Sequence, residues 1–152
     1  MGIYNCAPTL QDALDSLYAQ TYQDFEIILC DDGSKDNTYE LALENQKKHP
    51  NIVLLSNPCN MGLNQTLNNC LAVAKGEYIA RMDGDDLCDP TRFEKQVKFL
   101  DENLEYAIVS NPMIYFDENG EFARGRVRFQ IPDKESFAIA TPFCHAPCMV
   151  RK

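Results

Sequence analysis

Two short apolar runs each break off into a cluster of carboxylates, and this restricts the fold more than any other feature of the chain. Phe25-Glu26-Ile27-Ile28-Leu29-Cys30 runs into Asp31-Asp32-Gly33-Ser34, and Glu77-Tyr78-Ile79-Ala80-Arg81-Met82 runs into Asp83-Gly84-Asp85-Asp86. Nearly continuous apolar runs with β-branched residues predict strands covered on both faces. Around them the apolar residues fall at helical spacing. Leu10, Leu14, Leu17 and Tyr18 form one stripe of a helix predicted over residues 8–22, with Thr9 and Asp12 spaced as a near capping box. A second helix is expected over 36–48 and a buried strand over 51–55. A third helix carries Leu63, Leu67, Cys70, Leu71 and Ala74 and stops before Gly76. Asp89-Pro90 opens a fourth, with Phe93, Val97 and Leu100 on its stripe.

Strand and helix alternate with no linker or internal repeat, which predicts an α/β domain. Its sheet is expected to be mostly parallel and doubly wound, with helices on both faces. A chain of 152 residues suits one such domain. Ligands of these sheets gather outside the carboxyl ends of the strands, so the two acidic turns are expected to be neighbours. Residues 107–110 and 113–116 read as strands, and Asp117-Glu118-Asn119-Gly120 as a hairpin turn. Residues 123–152 are placed only loosely. Ahead of Asn5-Cys6-Ala7-Pro8 stands only Gly2-Ile3-Tyr4, so a clipped first strand is expected.

A net charge of −9 repels phosphate backbones and argues against nucleic acid as a partner. The same charge requires a cation, or a local basic pocket, between this chain and any anionic ligand. Seven scattered cysteines read as buried thiols of a reducing compartment, and no apolar run is long enough to span a membrane. No signal peptide is visible, which makes the cytoplasm the expected compartment. Cys144 and Cys148 flank His145, but too few ligands stand nearby for zinc.

Three carboxylates within residues 83–86 repel one another, and Arg81 can neutralise one of them at most. Mg²⁺ or Mn²⁺ suits the remainder, because hard cations take oxygen ligands and share coordination with phosphate. Gly84 would let a ligand approach the backbone closely. Three other readings stand beside this one. A solvated acidic turn ahead of a helix is compatible with the composition. A calcium loop would use Asp83, Asp85, Asp89 and Glu94, but has Cys88 where its glycine belongs. A phosphotransferase would use Asp83 as nucleophile. The Asp31–Asp36 segment has a plain reading as a polar turn with Ser34 or Asp36 as the cap. A carboxylate there could also accept hydrogen bonds from a base or ribose. With no glycine-rich phosphate cradle present, phosphate binding falls to metal.

Four segments in order resemble the family-two glycosyltransferases of GT-A fold. They are Tyr4-Asn5, Asp31-Asp32-Gly33-Ser34-Lys35-Asp36-Asn37-Thr38, Asn60-Met61-Gly62-Leu63, and Gly76 through Asp86; residues 142–152 resemble a fifth. The resemblance implies a Rossmann-like nucleotide-sugar-binding domain over 1–152, as a fragment of a longer inverting enzyme. It implies Tyr4 and Asn5 beside the nucleotide base, Asp32 at the base or ribose, Asp83 near the ribose, and Asp85 on a Mn²⁺ or Mg²⁺ that bridges the diphosphate. A UDP-sugar is the favoured donor, and a glycan or lipid-linked hydroxyl the acceptor. Association at the inner face of the membrane is open to such an enzyme. The family's general base lies downstream of the histidine segment, and none of Asp117, Glu118, Glu121, Asp133 or Glu135 matches it. The catalytic base is therefore expected outside this chain. The alternative is a non-catalytic nucleotide-sugar or metal-binding module.

Overall fold

The computed structural model describes residues 1–125, 131–139 and 144–152. Its first half is a parallel sheet of three strands, β1 (Gly2–Ile3), β2 (Ile27–Asp31) and β3 (Ile52–Ser56), in the order β1-β2-β3. Helix α1 (Ala7–Tyr18) connects the first pair and α2 (Thr38–Lys48) the second, while α3 (Leu63–Val73) leads out of β3. The apolar stripe behaves as its spacing demands: Leu10, Ala13, Leu14 and Leu17 are all buried in one core with Ile3, Ile27, Leu29 and Ile52. Each such Leu or Ile side chain is worth about 1.5–3 kcal/mol of transfer free energy, so α1 and the three parallel strands are held on one core.

The second half differs. Strand β4 (Tyr78–Ala80) pairs antiparallel with β8 (Met149–Arg151), which in turn pairs antiparallel with β5 (Ile108–Val109), giving the order β4-β8-β5. Helix α4 (Arg92–Glu102) follows β4 and buries Phe93, Gln96 and Leu100. An exposed hairpin, β6 (Ile114–Asp117) with β7 (Gly120–Arg124), and the short α5 (Lys134–Ile139) complete the described elements. Between the two halves lies an apolar cavity of about 990 Å³, bounded by Met1, Ile27 and Ile28 on one side and Tyr78, Ile79 and Ala80 on the other.

Several boundaries shift for identifiable reasons. Helix α1 stops at Tyr18 and not at residue 22, because Gln20 and Thr21 turn away to bond the backbone oxygens of Asp89 and Pro90. The capping box does not form: Thr9 Oγ1 donates to the carbonyls of Cys6 and Gly84. Helix α2 begins at Thr38, since the Asp36 carboxylate accepts from both Thr38 N and Thr38 Oγ1 and so caps from outside. Strand β8 lies in the region that the sequence pattern places only loosely. Of the 142–152 segment, residues 142 and 143 lie outside the described residues.

Candidate functional site

The two acidic turns lie on either side of one segment, residues 3–9, which holds the Tyr4-Asn5 turn and bonds or packs against both. Asn5 N donates to Ser34 Oγ at 3.0 Å, Asn5 Oδ1 accepts from Lys35 N at 2.8 Å, and Cys6 N donates to Thr38 Oγ1 at 2.8 Å. These bonds hold Asn5 at φ 48°, a left-handed conformation that asparagine tolerates better than most residues. Tyr4 stays 45% exposed, leaving its ring face available at this edge. From the other side Gly84 closes against the same turn: a Cβ there would stand 2.8 Å from Cys6 Sγ and 3.3 Å from Ile3 Cγ2. On the side a Cβ would occupy, Gly84 therefore packs against its own chain.

Asp31 and Asp32 end β2, and both are buried. Asp31 caps its own turn, accepting from the amides of Gly33 and Ser34. Asp32 accepts from Asn57 Nδ2 at 2.7 Å, Met61 N at 2.8 Å and Gly62 N at 2.9 Å. Burial alone would raise its proton affinity, but the bonds from Met61, Asn57, Thr66 and Gly62 outweigh it and hold the carboxyl below its ordinary value. Its three partners gather the 57–62 loop against the strand end. Gly33 makes room for that loop: at φ 73° it passes so close to Cys59 that a Cβ would lie 2.8 Å from the Cys59 carbonyl carbon.

The 83–86 turn is built the other way. Arg81 reaches both oxygens of Asp83 at 3.0 Å, neutralising that carboxylate. Asp85 is exposed and accepts no hydrogen bond or ion pair among the described residues. Asp86 is half-buried; desolvation, and after it the charges of Asp83 and Asp85, push its carboxyl above the ordinary range. The turn opens on a cleft of about 500 Å³ lined by Arg81, Asp83, Asp85, Asp86, Met113, Cys144, His145 and Ala146. The apolar cavity between the sheets is larger, and its carboxylates, Asp24 with Glu26, then Glu77, then Asp101, are spread over three segments instead of one turn.

The donor set fits a hard divalent cation. Three of the groups lining the cleft are carboxylates with hard oxygen donors: Asp85 is exposed and unpaired among the described residues, and Asp86 is held in a field that a cation would relieve. No cluster of three or more metal-ligating side chains is preassembled among the described residues. That suits Mg²⁺ or Mn²⁺, which keep water and phosphate oxygens in their shells, better than an all-protein calcium cage. The calcium loop fails on position too, for Glu94 lies within α4 and accepts from Thr21 Oγ1 at 2.7 Å. A phosphotransferase nucleophile would have to leave the Arg81 fork that occupies both oxygens of Asp83. His145 was missed as a cleft residue; the only sequence signal for it was its place in the 142–152 resemblance.

A parallel α/β half, helices on both sides and an acidic edge at the strand ends together define a GT-A-type domain. The chain belongs to glycosyl transferase family 2, whose sequence pattern matches residues 1–152. It is 44% identical over 153 residues to EpsE of Bacillus subtilis (strain 168), covering 99% of this chain and 54% of that protein. It is 31% identical to WfaP of Escherichia coli, a UDP-Glc:α-D-GlcNAc-diphosphoundecaprenol β-1,3-glucosyltransferase, covering 97% of this chain and 56% of that one. Among solved structures it resembles a mannosyltransferase from Pyrobaculum calidifontis in complex with GDP-Man and Mn²⁺. There the TM-score is 0.67 at 28% identity, over 72% of this chain and 33% of that one. The chain thus spans about half the length of the curated relatives it matches. Among the described residues no helix is long and apolar enough to cross a membrane.

Proposed function

We propose that this chain is the donor-binding part of an inverting, metal-dependent glycosyltransferase that moves a sugar from a nucleotide diphosphate to an acceptor hydroxyl. The observation that carries the reading is Asp85, exposed and unpaired among the described residues, beside the Arg81–Asp83 pair on a turn packed against Ile3 and Cys6, which flank Tyr4-Asn5. Tyr4 and Asn5 flank the base, and Asp83, held in place by Arg81, lies toward the ribose. Asp85 holds Mn²⁺ or Mg²⁺ against the diphosphate, with Asp86 close behind. When bound, the metal would neutralise charge on the leaving diphosphate, a role worth several kcal/mol in the transition state. Asp32 stands at the base or ribose and also fixes the 57–62 loop, through bonds from Asn57, Met61 and Gly62 that leave a carboxylate acceptor position open.

A UDP-sugar donor and a lipid-linked or glycan acceptor are supported by the likeness to WfaP, whose name states both. Manganese is supported by the complex of the mannosyltransferase neighbour. The general base is assigned to the part of the protein beyond this domain. Calorimetric titration with UDP, GDP, ADP and CDP, with and without Mn²⁺, tests the proposal. Metal-dependent binding of one diphosphate, strongest for UDP, is expected; equal binding of all four without metal would overturn it.

A further inference from the structure

Arg92, in the first turn of α4, is only 9% exposed and forms no ion pair among the described residues. Its guanidinium donates only to neutral acceptors: the Arg81 carbonyl at 2.8 Å, the Cys148 carbonyl at 3.4 Å, Gln96 Oε1 at 3.2 Å and Cys88 Sγ at 3.7 Å. Taking an arginine out of water without a counter-charge costs several kcal/mol, so its place in the fold needs an offsetting anion.

The acceptors place Arg92 against the two segments that wall the cleft. The Arg81 carbonyl stands two residues before Asp83, and the Cys148 carbonyl three residues after His145. Arg81 N also donates to Cys148 O at 2.9 Å, so Arg92 ties together the two segments that wall the cleft. Gln96, 1% exposed, extends the tie: its Nε2 donates to Asn111 Oδ1 at 2.6 Å and to the Pro147 carbonyl at 2.7 Å. Above this tie sit three carboxylates, of which Arg81 pairs with Asp83 alone. A buried cation beneath two further like charges lowers their mutual repulsion before any metal arrives.

We propose that Arg92 is a positioning residue for the donor site. From below it holds the Asp83–Asp86 turn in register with the His145–Cys148 segment, and its unpaired charge lets the carboxylates stand together in the metal-ready arrangement. This rests on the donor-binding reading above. It differs from plain structural support, because the effect should fall on the metal-dependent part of binding and not on binding in general.

Arg151 supplies the control. It ends strand β8, donates to the Leu100 carbonyl at 2.8 Å and stacks over Tyr78, with no hydrogen bond or ion pair to the acidic turn among the described residues. In the full-length protein, UDP affinity is measured with and without Mn²⁺ for the wild type, Arg92→Met, Arg92→Lys and Arg151→Met, well below each melting temperature. By analogy with outer-shell partners of metal sites, Arg92→Met is expected to cut the Mn²⁺ enhancement about tenfold or more. Arg92→Lys should fall between it and the wild type, and Arg151→Met should keep the enhancement whatever its melting temperature. If Arg92→Met does not fold, Arg92→Lys decides: an enhancement equal to the wild type overturns the inference. So does an equal loss in Arg151→Met. A wild type with no Mn²⁺ enhancement at all instead overturns the donor-binding reading, and this inference with it.

Discussion

Asp32 and Asp85 both lie in acidic turns that follow a strand, one residue beyond β2 and five beyond β4, yet their carboxylates live in opposite circumstances. Asp32 is buried and accepts three hydrogen bonds from its own chain. Asp85 is exposed and accepts none among the described residues, while its neighbour Asp86 is pushed toward the protonated form. A carboxylate bonded three times by its own chain holds a fold together; one that its chain leaves unbonded is set for something that arrives later. The parallel half of the molecule is thus complete in itself, and the antiparallel half presents an electrostatic deficit that a cation would fill.

The largest effect expected from this contrast is on stability at Asp32. Asp32→Ala removes the acceptor of Met61 N and one of the two acceptors of Asn57 Nδ2 and of Gly62 N, which keep Thr66 Oγ1 and Asn60 Oδ1, a loss of roughly 3 kcal/mol at the upper end for such groups. Urea denaturation measures it; a loss near zero would mean that the 57–62 loop does not depend on Asp32. Asp85→Ala should do the reverse, leaving the urea midpoint unchanged while weakening Mn²⁺-dependent UDP binding about 100-fold, as expected for a direct ligand when outer-shell partners alone give 10–100-fold. Equal binding by that variant removes the metal assignment.

Acid sharpens the comparison, because the two turns have opposite signs. Asp32 has a depressed carboxyl, so its contribution is fully present above the unfolded-state value of about 3.9 and is lost as pH falls through its lower folded value. In Asp32→Asn that part of the acid slope should vanish from melting curves taken between about pH 5 and pH 2. Asp36 and Asp89, also depressed by their hydrogen bonds to threonine, keep the remainder of the slope. Asp86 has a raised carboxyl, so its folded state favours the proton: that stabilisation is present below the unfolded value and is lost as pH rises through the folded one. The smallest effect follows at Asp86→Asn, a slight rise in melting temperature at pH 7 without metal. A fall there would show that the field at the turn is already compensated.

Much of this was readable in the chain. Helix α1 and strand β2 were placed by their periodicity, since burial of Leu10, Leu14 and Leu29 obeys the same geometry in any fold that covers them. The nearness of the two acidic turns was readable from strand direction. The functional split between Asp32 and Asp85 was not, because both read as an aspartate after an apolar run. What separates them is the 57–62 loop folding back onto one and not the other.

The sequence by itself determined the alternation of strand and helix, the side on which ligands gather, and an excess of carboxylates too large for Arg81 to balance. Those are properties of spacing and composition, which act locally or by simple counting. Only the tertiary structure decided that Gly84 packs against Ile3 and Cys6, that β8 enters beside β4 and brings His145 to the cleft, and that Arg92 is buried against the Arg81 carbonyl with no ion pair among the described residues. Each of these joins residues far apart in the chain, and no local pattern encodes which of many distant groups will be brought within hydrogen-bonding reach.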